Sequence, residues 1–187
     1  VVMQRIANPS TAVRFRSEPP HLRRLMREPC IIGVSDAKID ERGCASNDSS
    51  VLSIQKDCAI EALDKSGLNI SDIDGLAVAG LWGMPGPGVM QPNVLTEYLG
   101  ISYPKWLDGT NTGGSAFIFH LQHACQAIKN KICNNVLILY GSTQKSNKER
   151  NFLDRPAIFS SQFDMIAGLP SPVGAYALAA QRHMYEF

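Results

Sequence analysis

No stretch of this 187-residue chain stays apolar for the roughly 20 residues a membrane-spanning helix needs, so a helical membrane span is not expected. Arginine and lysine form no extended stripe in the core region, and no aromatic residues alternate with such a stripe to stack bases. With a net charge of +1, nothing in the charge balance calls for nucleic acid. The five cysteines, Cys30, Cys44, Cys58, Cys125 and Cys133, are odd in number, include no CxxC pair and do not cluster with the four histidines. That pattern argues against a zinc site and against a disulfide framework. Cys58 and Cys125 fall on apolar helical faces, where a cysteine acts as a small hydrophobe, and free thiols fit reducing surroundings.

What the chain does have is 44% apolar residues, enough for one globular domain with a substantial core. Residues 1–30 stand apart. Arg5, Arg14, Arg16, Arg23, Arg24 and Arg27 face only Glu18 and Glu28, with prolines at 9, 19 and 20 and no sustained apolar period. This reads as an arginine-rich, disordered tail. An organelle transit segment is the alternative, weakened by Glu18 and the Pro19-Pro20 pair.

From Ile31 onward apolar runs alternate with helical periodicity, which argues for an α/β domain over 31–187. Ile31 to Val34 is a strand candidate. Ser49 or Ser50 can cap a helix running to about Ser66, with Leu52, Ala59, Ala62 and Leu63 on one face and Gly67 as terminator. Leu76 to Ala79 is a strand, and Leu81 to Pro92 is too rich in glycine and proline for regular structure. Asn93 to Leu99 is a short helix ended by Gly100, and Lys105 to Asp108 a third strand. Ser115 to about Asn130 is a helix so apolar that Phe117, Ile118, Leu121 and Ile128 surround it and call for cover on all sides. Val136 to Tyr140 has no polar alternation and so reads as a strand buried on both faces. The order βαβαβαβ predicts a layered, mainly parallel sheet. Residues 142–170 read as a polar loop excursion carrying Lys145, Lys148, Arg150 and Arg155. Residues 171–187 read as a truncated helix that Ser171 caps and Pro172 opens.

Three pieces of this pattern, in this order and spacing, resemble the amino-terminal half of a thiolase: Leu68-Asn-Ile-Ser-Asp-Ile-Asp-Gly75, Asn111-Thr-Gly-Gly114 with Ala124 and Ala127-Ile128, and Val136-Leu-Ile-Leu-Tyr-Gly-Ser142. The chain is similar in particular to sterol-carrier-protein type thiolases and lipid-transfer acetyl-CoA acetyltransferase-like proteins, over Ile31 to Phe187. The resemblance implies a thiolase-like layered fold, a mainly parallel mixed sheet with a central buried helix, as half of a duplicated architecture. It implies no covalently bound cofactor, a coenzyme A thioester as ligand, and lipid or fatty-acyl metabolism. As partners it implies a homodimer, pairing with a missing carboxy-terminal half, and for some relatives a small OB-fold protein. The implied setting is cytoplasmic, or mitochondrial or peroxisomal in a eukaryote.

In active thiolases the turn reads Asn-x-x-Cys, and aligning its asparagine with Asn111 puts Gly114 at the cysteine. A shift of one puts Gly113 there. The nucleophile is therefore missing, and no residue of this chain is assigned to catalysis. Asn111, Gly113, Gly114 and Ser115 are the expected thioester-binding residues, with Lys145 and Arg150 reaching toward the coenzyme's phosphates. N–H groups around Gly114, Ser115 and Ala116 would polarise a thioester carbonyl. Alternatively, the glycines only permit a tight turn against a crowded core. Ser115 as a substitute nucleophile needs a glycine where Phe117 stands, and a phosphate loop spanning Gly109 to Gly114 needs a lysine where Ser115 stands. His120 and His123, three apart on the apolar helix, are a candidate base pair but a poor metal pair without a third ligand. Trp82, Met84 and Met90 are candidates for lining an acyl tunnel, or simply anchors for their loop.

Overall fold

A computed structural model of the chain describes residues 2–5, 28–41, 44, 49–79, 90–143, 161–164, 166–169 and 172–187. Residues 1–146 form one compact unit and residues 147–187 a second.

In the first unit, strands β1 (Val2–Arg5), β2 (Pro29–Gly33), β3 (Gly75–Val78), β4 (Trp106–Asp108) and β5 (Asn135–Leu139) make one sheet in the order β2-β1-β5-β3-β4. β5, β3 and β4 run parallel, while β1 pairs antiparallel with both β2 and β5. This corrects the reading of residues 1–30 as a disordered tail: Val2–Arg5 is an interior strand. Four residues with no apolar period give no local signal, and what makes them a strand is pairing with partners some 30 and 130 positions away, Val2 with Gly33 and with Leu137. The rest of that segment up to residue 27 lies outside the described residues.

Helices α1 (Val51–Ser66) and α2 (Gln91–Leu99) pack on one face of the sheet, and α3 (Ala116–Lys129) on the other. The two-residue period of a strand produces this division. Leu76 and Val78 on β3, with Leu137 and Leu139 on β5, join Val51, Ala59, Ala62 and Leu63 of α1 and Leu95 of α2 in one core. The intervening Ala77, Val136 and Ile138 join Ala124, Ala127 and Ile128 of α3 in the other. Leu76, Leu95, Leu137 and Ile128 are fully buried, each worth roughly 1.5–3 kcal/mol relative to exposure. β3 and β5 are therefore covered on both faces.

The helix ends follow their sequence signals. Ser50 caps α1 in a reciprocal box, its hydroxyl accepting from the Ser53 N–H at 3.0 Å while Ser53 accepts from the Ser50 N–H at 2.9 Å. Gly67 and Gly100 close α1 and α2 at φ 69° and 78°. At the amino ends of the parallel strands, the Asp74 carboxylate accepts from the N–H groups of Asn134 (2.7 Å) and Asn135 (2.9 Å), the Asn134 amide (3.0 Å) and Lys105 (3.1 Å). Its carbonyl accepts the Lys105 and Trp106 N–H groups. One residue thus ties the starts of β3, β4 and β5 together.

α3 is buried on the sheet side only. Ala116, His120, Ala124, Ala127 and Ile128 are buried and Phe117 and Leu121 half-buried, whereas Ile118 is 68% and Phe119 41% exposed. Among the described residues the helix is not surrounded as its composition predicts. No helix among the described residues is long and apolar enough to cross a membrane.

In the second unit, a single turn, α4 (Ser161–Asp164), lies inside the stretch expected as a loop excursion, and α5 (Pro172–Glu186) opens at the proline. Residues 144–160 and Ser171, the expected cap, lie outside the described residues.

Candidate functional site

β4 delivers the chain to the carboxyl edge of the parallel strands and ends at Asp108, whose carboxylate is almost fully buried (8% exposed). Oδ1 accepts from the Thr110 N–H at 2.8 Å and the Thr110 hydroxyl at 2.6 Å, and Oδ2 pairs with His123 Nδ1 at 2.7 Å. Burial pushes the Asp108 carboxyl up, but the bonds from Thr110 and His123 outweigh it and hold the group below the usual carboxylate range. An ionised carboxylate only accepts, so His123 Nδ1 carries a proton and donates it to Oδ2. The His123 side chain is 39% exposed and lies against the Phe119 ring, centroids 6.1 Å apart.

One turn earlier on α3, His120 is fully buried, and its Nε2 donates to the Thr110 carbonyl at 2.9 Å. Its Nδ1 has no hydrogen-bond partner among the described residues. The two histidines grip different atoms of one loop: His120 holds the Thr110 backbone and His123 the Asp108 carboxylate. They do not share a ligand, and among the described residues no group of three or more His, Cys, Asp or Glu side chains is arranged to hold a metal ion.

The loop continues into a single 3-10 turn, Gly113–Ser115, that opens α3. Asn111 Oδ1 accepts from the Gly113 N–H at 3.2 Å, and Gly113 takes φ 69°, where a side chain is strained. Gly114 differs. It is exposed, its φ lies outside the left-handed region, and a Cβ built on it meets no atom within 4 Å. Core crowding and backbone geometry therefore account for the glycine at 113 by its φ, and account for nothing at 114.

The Ala116 N–H is already given to the Gly113 carbonyl. That removes Ala116 from the expected fan of free N–H groups, and the Gly114 N–H has no acceptor among the described residues. Ser115 is exposed, and its hydroxyl donates to the Thr112 carbonyl at 2.9 Å and approaches the Thr112 hydroxyl at 3.1 Å. The ring nitrogens given partners on His120 and His123 go to Thr110 and Asp108, and neither ring is bonded to that hydroxyl among the described residues.

Asn111, Gly113, Gly114 and Ser115 come together in one turn. Lys145, Arg150, Trp82 and Met84 lie outside the described residues, and Met90 is exposed. Asp108 was not legible as a site residue, because an aspartate ending a strand is unremarkable until β4 and α3 are packed and bring position 123 beside it. Cys58 and Cys125 are half-buried and desolvation raises both thiols, as small hydrophobes require.

No family model matches the chain, and no curated protein matches it. Solved structures do. An Ltp2–ChsH2(DUF35) aldolase superposes with a TM-score of 0.64 at 22% identity, covering 84% of this chain and 38% of that one. The 3-oxoacyl-(acyl carrier protein) synthase III FabH from Xanthomonas oryzae pv. oryzae superposes with a TM-score of 0.55 at 13% identity, covering 70% of this chain and 51% of that one. OleA from Xanthomonas campestris gives 0.51 at 15% identity, covering 65% and 46%. The chain thus spans between about a third and a half of these neighbours' lengths, and what it shares with them is a thiolase-like α/β fold.

Proposed function

We propose that the turn between β4 and α3 binds the thioester of an acyl-CoA without forming an acyl-enzyme, in a protein of lipid or fatty-acyl metabolism akin to the sterol-carrier-protein type thiolases. The observation that carries this reading is Gly114: an exposed glycine at the start of α3, demanded by neither packing nor φ, with an N–H that has no acceptor among the described residues. A missing side chain leaves a thioester carbonyl room to reach that N–H, and a helix amino terminus favours the charge that develops on the oxygen. No sulfur stands at the turn to attack it. Lys145 and Arg150 are proposed to meet the coenzyme's phosphates.

Among the described residues the outer edge of β4 ends the sheet without a strand partner, and an unpaired edge invites a second copy or a further half of the fold. A homodimer is proposed on that basis, a small OB-fold protein as a further partner on the likeness to the Ltp2–ChsH2(DUF35) aldolase, and a cytoplasmic setting on the free cysteines.

A second reading, a carbon–carbon lyase acting on a thioester, is favoured by the superposition on the aldolase over 84% of this chain. An acyltransferase with a substitute nucleophile is less well supported, since the Ser115 hydroxyl is engaged by Thr112. Isothermal titration with acetyl-CoA and longer acyl-CoAs, followed by peptide mapping, separates these readings. Saturable binding with no covalent adduct is expected. An acyl adduct on Ser115 or on any cysteine would restore the acyltransferase, and absence of binding up to millimolar ligand would remove the proposal.

A further inference from the structure

Ser115, Phe119 and His123 are spaced i, i+4, i+8 and so lie one above another along α3. All three are accessible, Ser115 at the surface, Phe119 at 41% and the His123 side chain at 39%. The stripe starts at the glycine turn, crosses an aromatic face and ends at an imidazole whose Nδ1 is tied to Asp108. That carboxylate is itself pinned by two bonds from Thr110, so the ring is held in one orientation and one tautomer. With Nδ1 occupied, Nε2 is the ring nitrogen left for an outside partner, and it makes no bond among the described residues.

The helix sets a distance. Gly114 and His123 are nine residues apart, about 13 Å along the axis at 1.5 Å per residue, shortened somewhat because helical side chains lean toward the amino terminus. A thioester docked at Gly114 thus has its α-carbon too far from His123 for that ring to move its protons. A group near the far end of a medium-length acyl chain is within reach.

We propose that His123, positioned by Asp108, is a specificity-determining residue whose Nε2 hydrogen-bonds a hydroxyl near the far end of the acyl group, with Phe119 packing against the apolar stretch between. The preferred ligand class is then a terminally hydroxylated medium-chain acyl thioester. This rests on the thioester site proposed at Gly114.

The test compares dissociation constants of the full chain for decanoyl-CoA, 10-hydroxydecanoyl-CoA and 3-hydroxydecanoyl-CoA. The terminal hydroxyl should tighten binding about two- to tenfold, the net worth of one hydrogen bond exchanged with water, and the 3-hydroxyl should not. His123→Phe should bring decanoyl-CoA and 10-hydroxydecanoyl-CoA to equal affinity. The ¹⁵N resonance of His123 Nε2 should move on adding 10-hydroxydecanoyl-CoA and stay fixed with decanoyl-CoA, a response that a merely structural histidine would not give. Asp108→Asn, which removes the anion fixing the tautomer, should weaken the preference even where the ring remains. Decanoyl-CoA binding with no gain from the terminal hydroxyl, or a gain from the 3-hydroxyl instead, would overturn this inference and leave the thioester site standing. Failure of all three ligands to bind would remove the thioester site and this inference with it.

Discussion

Replacing Gly114 with cysteine restores the missing thiol at a position the structure leaves open, and the neighbouring glycine supplies the control. At Gly114 a Cβ meets nothing within 4 Å and φ is unexceptional. Gly114→Cys should therefore gain about 0.4–1 kcal/mol through the stiffer unfolded chain. At Gly113 the backbone holds φ 69°, so Gly113→Cys should lose about 1–2 kcal/mol. The two variants should differ by about 1.4–3 kcal/mol, roughly 3–12 °C in melting temperature for a chain of this size. The introduced thiol at 114 also sits at the start of α3, where the helix dipole favours its thiolate by about 0.3–1 kcal/mol. That lowers its pKa by roughly 0.2–0.7. The assay is thermal unfolding of both variants, then alkylation rates against pH with the modified cysteine identified by peptide mapping. The reasoning is refuted if Gly114→Cys melts with or below Gly113→Cys, or if its thiol reacts no faster at neutral pH than an ordinary exposed cysteine.

Other expectations follow from the same geometry. Asp74→Ala strips one carboxylate from the N–H groups of Asn134 and Asn135 and from Lys105; a loss of about 2–3 kcal/mol in urea unfolding is expected, and a change below about 0.5 would count against its role as the tie between strand starts. Burial raises the Asp74 carboxyl, but donors from Asn135, Asn134 and Lys105 outweigh it and leave the group below its ordinary value, as for Asp108. Both carboxylates thus contribute stability that is complete above their unfolded pKa of about 3.9 and is lost as the pH falls through the lower folded values. Denaturant midpoints measured from pH 6 downward should fall most steeply below about pH 4, and less steeply in Asp74→Asn. Ile118→Ser, on the exposed side of α3, should shift stability by no more than about 0.5 kcal/mol, whereas Ile128→Ala, at 0% exposure, should cost about 2–5. Equal costs would mean that α3 is covered on both sides in solution.

How much of this could be read without coordinates depends on how local each signal is. The caps of α1 and α2, the apolar run of β5 and the glycine turn each sit in a few consecutive residues, and the elements appear within one or two positions of where those residues put them. The strand at Val2–Arg5 carries no such local signal, because its pairing partners come from distant parts of the chain. Phe117 and Ile118 look alike as sequence, yet α3 turns one toward the protein and the other to solvent.

The candidate site divides in the same way. The order of residues along the chain determined that a strand enters a helix through paired glycines with no cysteine between them, since turn chemistry and nucleophile identity are properties of the residues themselves. Only the packed structure decided which glycine the backbone needs and which it does not. It alone set the Asp108 carboxylate 2.7 Å from His123, because a bond between groups fifteen positions apart exists only where a strand end and a helix face are held against each other by the core beneath them.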